Sequence, residues 1–307
     1  MTTTPARRDQ RQPARRDEAP SLVDMIGGMK GEIAKCLPET ASPERVARLA
    51  LTAIRITPKL AESTPASFFG ALLSAATLGL DVNTPLGHAY LIPFNRKVKG
   101  PNGSSGWVTE CQLIVGYRGM IELGRRSGVV TKTKATVVRA GDEFFVEEGC
   151  APVLRHRPSL AADRHTAPMS FVYAVAHLVT GGEVFQWLSR GDVEARRQRS
   201  RAKDSGPWVT DHEAMAMKTA VRALFPWLPQ SAEMQTLATA VALDHAADRG
   251  VQAAAYPAPV IDVLDRAGLE LPPTSVDDVD DRDGSPDDGP PPDDFGDLLD
   301  GDPPARR

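Results

Sequence analysis

Apolar residues recur every three to four positions through the first quarter of the chain. Leu22, Ile26, Met29, Ile33 and Leu37 share one helical face before Pro38 ends the run, with Gly27-Gly28 weakening its start. Ser42-Pro43-Glu44 sets a capping hydroxyl before a proline at the first helical position, and Val46, Leu49, Ala50, Ala53 and Ile54 line one face behind it. Thr64-Pro65 repeats that signal; Phe68, Phe69, Leu72, Leu73 and Ala76 follow, and Gly79 stands where a left-handed C-cap is wanted. The pattern predicts three helices whose apolar stripes are core or subunit contacts rather than cofactor pockets.

The period then shortens. Residues 88–95 and 107–117 are β-prone runs on either side of a basic, Gly/Ser-rich connector at 96–106, which predicts a hairpin with a long mobile tip. A short helix is expected over 118–127, closed by Gly128, and a strand over 129–138 with Lys132 and Lys134 on one face. Weaker strands flank Gly149, and Gly181-Gly182 joins 169–179 to 183–188 as a hairpin. Helices return at 191–203, from Asp211 to about Phe225, and at 232–247. Helices, antiparallel strands, then helices make an α+β fold, an antiparallel sheet with packed helices, not an alternating βαβ chain.

Composition divides the chain into three parts: an Arg-rich disordered arm at 1–20, a core at 21–250, and a disordered acidic tail at 251–307. The formal charge of −4 conceals this segregation, because residues 251–307 hold 15 Asp/Glu against 4 Lys/Arg. The preceding 250 residues therefore carry a net charge of +7. A basic body suits an anionic partner such as nucleic acid. The tail reads as a solubilising segment, a mimic of the partner's charge, or a docking segment through Phe295 and Leu298-Leu299. Cys36, Cys111 and Cys150 are widely spaced and give neither a disulfide framework nor a zinc motif, as expected in a reducing cytosol. No apolar run approaches the ~20 residues of a membrane span.

Several chemistries lack their residues. There is no GxxxxGK[ST] phosphate loop, no GxGxxG between strand and helix and no GxSxG elbow, so no nucleotide or other cofactor is expected. Asp142, Glu143 and Glu147 are the only acids worth weighing as a two-metal nuclease site, and solvated turn charges account for them more simply. His177 sits inside an apolar strand and is expected to be a hydrogen-bonded core residue.

The positive signal is distributed cation. Tyr117-Arg118 follows a strand, Arg125-Arg126 closes the next helix, and Lys132 and Lys134 alternate on the strand beyond. Arg196, Arg199 and Lys203 crowd one short helix, and Lys218 and Arg222 stand four apart on another. A track of cations neutralises successive phosphates, and rings such as Tyr117, Phe94 or Trp208 are candidates for base stacking.

Pro58-Lys59-Leu60-Ala61-Glu62, Pro65-Ala66-Ser67-Phe68, Leu78-Gly79-Leu80 and Pro85-Leu86-Gly87-His88-Ala89-Tyr90-Leu91-Ile92-Pro93-Phe94 succeed one another in a recognisable order. So do Val115-Gly116-Tyr117-Arg118-Gly119-Met120, Arg125-Arg126-Ser127-Gly128, Gly141-Asp142-Glu143-Phe144 and Lys218-Thr219-Ala220-Val221-Arg222. From about 49 to 229 the chain resembles the RecT family of phage-type single-strand annealing proteins.

The resemblance implies a core like those of Redβ and, more distantly, Rad52. It implies annealing of complementary single-stranded DNA without ATP, through an annealed duplex intermediate and without covalent chemistry, hence no enzyme. It implies a homo-oligomeric ring or helical filament, a 5′→3′ exonuclease partner, a host single-strand binding protein as a further partner, and work in the cytoplasm of a bacterial cell. Tyr117, Arg118, Arg125, Arg126, Lys218 and Arg222 become its groove residues, and Gly116, Gly119 and Gly128 its structural glycines. The alternatives are a metal-dependent nuclease and a plain single-stranded DNA-binding protein.

Overall fold

The computed structural model describes residues 20–38, 42–99, 105–200, 202–204 and 206–271. The expected arm at 1–20 and the tail beyond 271 therefore lie almost wholly outside the described residues.

The N-terminal helices surround α4 (Pro65–Thr77), whose apolar residues run all round the helix; 11 of its 13 residues are buried, Ser67 and Ser74 among them. Around it stand α1 (Leu22–Gly28), α2 (Lys30–Cys36) and α3 (Pro43–Ile56). Both predicted caps form: Ser42 Oγ accepts from the Arg45 N–H and Thr64 Oγ1 from the Ser67 N–H. The single helix expected over 22–37 is broken at Met29, where ψ is 2° after the Gly27-Gly28 pair.

The long hairpin β1 (Ala89–Lys99) and β2 (Ser105–Val115) pairs without a shift from Ala89↔Val115 to Lys99↔Ser105. Its strands therefore run further than expected, and the connector shrinks from 96–106 to 100–104. Arg96 is part of the strand and pairs with Glu110 at 3.0 Å. The outer edge of β2 is completed by side chains instead of a third strand. Ser67 Oγ accepts from Cys111 N (2.9 Å), Gln252 Oε1 from Leu113 N (2.7 Å), and Asp244 Oδ1 from Val115 N (3.2 Å). On the β1 edge, Asn83 Oδ1 accepts from Leu91 N at 2.8 Å and Pro93 offers no N–H at all.

Helix α5 (Tyr117–Arg126) leaves the hairpin through two close approaches. A Cβ on Gly116 would lie 2.3 Å from Gly87 O, and one on Gly119 2.2 Å from His88 O, so only glycine fits either position. Strands β3 (Val130–Arg139), β6 (Met169–Leu178) and β7 (Glu183–Ser189) form a second antiparallel sheet in the order β3-β6-β7. The Gly181-Gly182 hairpin turn has φ of 92° and 86°, in the left-handed half of the map. A small hairpin, β4 (Glu143–Glu147) with β5 (Val153–Arg157), packs Phe144 onto Phe171 and Tyr173 at one end of this sheet. His177 is not in the core: it is half-exposed and pairs with Glu183 at 3.0 Å.

Helices α6 (Arg190–Arg197), α7 (Pro207–Thr210), α8 (His212–Leu224) and α9 (Gln235–Asp248) follow, with α8 against the β3-β6-β7 sheet. The folded body does not stop at 250. A 3-10 turn, Gln252–Ala255, packs against α9, and α10 (Ala258–Arg266) packs onto α2 and α4; the segment buries Tyr256, Val260, Val263 and Leu264. The expected boundary at 250 is thus displaced to 271 or beyond. The apolar spacing of α10 is helical, but it is diluted by the Pro- and Asp-rich sequence around it.

Candidate nucleic-acid interface

Helices α8 and α9 meet through a buried charge cluster. The Lys218 side chain points inward, and its ammonium lies 2.6 Å from Asp244, which is fully buried. Arg222, one turn on, reaches Asp244 at 3.2 Å and Asp248 at 2.5 Å. Of the two cations expected on one helical face, Lys218 is buried in an ion pair with Asp244. Arg222 remains part-exposed.

Arg222 opens into a cleft of about 470 Å³ between α6, α8 and α9. Its walls carry Arg196 from α6, Arg199 from the turn behind it, His245 and Asp248 from α9, and Arg249 at that helix's C-cap, with Gln186 of β7 at one side. A capping box, Ser189 with Asp192, starts α6, and Arg196 stands in its last turn. Four guanidiniums face one carboxylate, and that carboxylate already holds Arg222. The crowding shows in Arg196, whose guanidinium is lowered by partial burial and, against Asp192, by Arg222 and Arg199. Burial, then Arg222, likewise holds the His245 imidazole below its usual value.

The cleft thus unites three expected residues, Arg196, Arg199 and Arg222, with residues that sequence reasoning missed: Arg249, His245 and Trp227. Arg249, the C-cap of α9, donates to His245 O at 3.3 Å. Trp227, set between Pro226 and Pro229, is 65% exposed at the cleft's rim.

The other expected residues lie apart. Arg125 and Arg126 share Glu122, at 2.7 and 2.8 Å, and the Arg125 hydrogen bond leads in drawing that carboxyl down to about 2. Arg126 also donates to Gly79 O at 2.9 Å, tying α5 to the end of α4. Arg118 lies 5.9 Å from the Tyr117 ring centre and donates to its hydroxyl. Lys132 and Lys134 are exposed, but they alternate with the residues paired across to Gln186. They therefore project from the opposite face of the sheet to the cleft. Lys203 is half-buried beside Gln198, and its carbonyl accepts from Arg197 at 2.6 Å.

Two further expectations change. Asp142 is not a solvated turn charge but the buried centre of a network. It binds Arg164 and His156 and accepts from the Arg139 and Ser159 N–H groups, and the Arg164 guanidinium leads in holding its carboxyl far below the usual range. Glu143 instead faces Arg157 across the hairpin, so these acids do not converge; among the described residues no three His, Cys, Asp or Glu gather as metal ligands. Trp208 is buried, and with the half-buried Phe94 it lines a small apolar cavity.

The model of the RecT family matches residues 44–252. Protein RecT of Escherichia coli K12 is 46% identical over 207 residues, which cover 67% of this chain and 74% of that protein. The uncharacterized protein YqaK of Bacillus subtilis is 25% identical over 177 residues, 57% of this chain and 56% of its own. Every residue lining the arginine cleft falls inside the matched span.

Proposed function

Because the chain belongs to the RecT family, we propose that it binds single-stranded DNA in the arginine cleft and anneals complementary strands without ATP. The family is one of recombination-related single-strand annealing proteins. The observation that carries the finer reading is the cleft itself, where four guanidiniums stand against a single, already paired carboxylate. The absence of any phosphate loop from the sequence supports independence from ATP.

The mechanism follows from electrostatics. Two complementary strands repel through their phosphates, and a row of guanidiniums neutralises the first strand while releasing its counterions. Contacts to phosphate fix the strand's path and carry no sequence information, which leaves the base edges free for a second strand. Subunits joined in a ring or helical filament extend the track, so that modest contacts in each subunit add along the DNA. No bond in the DNA is made or broken. In this reading a 5′→3′ exonuclease supplies the single strands, a host single-strand binding protein is displaced from them, and the work is done in the bacterial cytoplasm. No helix among the described residues is long and apolar enough to cross a membrane.

The test is annealing of two complementary oligonucleotides by the purified chain at low salt, with no nucleotide triphosphate present. Pairing faster than in protein-free controls is the expected result. Binding that coats the strands but slows their pairing would reduce the protein to a plain single-strand binder, and cleavage of the oligonucleotides in magnesium would make it a nuclease.

A further inference from the structure

We propose that the Trp227 indole is a stacking platform for one unpaired nucleobase, and that it makes the arginine cleft prefer single strands to duplex. The proposal rests on the cleft being the DNA site.

Trp227 is exposed by construction, not through looseness. It closes a 3-10 turn, Phe225–Trp227, directly after α8, and prolines at 226 and 229 restrict the backbone on both sides. Leu228 N donates to Phe225 O at 3.1 Å, and the Gln230 side-chain amide donates to Phe225 O at 3.0 Å and Leu228 O at 2.9 Å. Leu228 is buried and Phe225 packs against the core, so the turn is anchored on both sides of the exposed ring. A fixed backbone that holds an indole in water has already met much of the ordering cost of a contact.

The surroundings select the occupant. An apolar protein surface would desolvate Arg196, Arg199 and Arg249 while supplying no counter-charge to them. A nucleic-acid strand alternates phosphates with flat aromatic rings and matches both features at once. In a duplex each base face is covered by its neighbours, whereas an unpaired base offers a free face to the indole. Stacking occupies that face and leaves the Watson–Crick edge open, as annealing requires.

The test compares Trp227→Ala and Trp227→Phe with the unaltered chain, using a mixed-sequence single-stranded oligonucleotide and the corresponding duplex. Trp227→Ala should weaken single-strand binding by roughly 5- to 150-fold, the loss of one base stack, and leave duplex binding unchanged. Trp227→Phe should recover most of the loss, and the salt dependence should stay the same, since no phosphate contact is removed. Equal losses on both DNAs, or none on either, would overturn the proposal. So would an altered sedimentation pattern with unaltered DNA affinity, which would make Trp227 a subunit contact. Arg196→Ala with Arg199→Ala separates the two levels: if it too leaves binding intact, the cleft reading has failed; if it alone weakens binding, only the stacking has.

Discussion

Ending the chain after Gly250 is expected to abolish its folded state, whereas ending it after Leu271 leaves the thermal transition of the body in place. The first truncation removes Tyr256, Val260, Val263 and Leu264, all buried against the N-terminal helices. Loss of a large buried side chain costs about 2–5 kcal/mol each. Four such losses approach the whole stability of a domain, about 5–15 kcal/mol. The same cut removes Gln252, which bonds both the N–H and the carbonyl of Leu113 and donates to Leu243 O. A buried Leu113 N–H without an acceptor adds about 1–3 kcal/mol of penalty. The Gly70 position shows how closely this segment is seated, because a Cβ there would lie 2.3 Å from the Tyr256 ring. Circular dichroism melting of the two truncated chains makes the comparison. A cooperative, native-like transition in the shorter chain would show that residues 251–271 only decorate the body.

The second large effect is expected at Asp244. Asp244→Ala should lower stability by about 3–5 kcal/mol, the usual result of leaving a buried charge without its partner. Its carboxylate receives the Lys218 ammonium, the Arg222 guanidinium and the Val115 N–H, so one substitution unpairs α8, α9 and the edge of β2 together. Lys218→Met is expected to be milder, because Arg222 still faces Asp244 and the methionine fills similar space. Lys218→Met should also leave the salt dependence of DNA binding unaltered, since that ammonium is buried against Asp244. Urea denaturation measures the first claim. A midpoint for Asp244→Ala equal to that of the unaltered chain would mean that the cluster contributes nothing.

Local signals were legible wherever the chemistry is local. The capping hydroxyls of Ser42 and Thr64, the paired glycines at 181 and 182, and the apolar periods of α3 and α4 all gave their elements from the sequence. The candidate site was legible only as a surplus of cations, because what each cation does depends on distant partners. Lys218 and Arg222 sit on one turn of helix, yet Asp244, 26 residues after Lys218, draws one inside and leaves the other at the surface. Asp142 looked like a turn residue until Arg164 and His156, which are remote in sequence, enclosed it. Lys132 and Lys134 share a strand face as expected, but only the packing of α8 decides which side of the sheet holds the cleft. Trp227 carries no periodic signal, because it stands alone between prolines.

If the cleft between α6, α8 and α9 carries the DNA backbone, as proposed, the salt dependence of single-strand affinity must change in the Arg196→Ala, Arg199→Ala double variant. If each arginine neutralises one phosphate, the slope of log affinity against log salt becomes shallower by about 1.4, at about 0.7 per contact, and by the same amount for unrelated sequences. Annealing should slow in parallel. A slope equal to that of the unaltered chain, with annealing undiminished, would contradict the account.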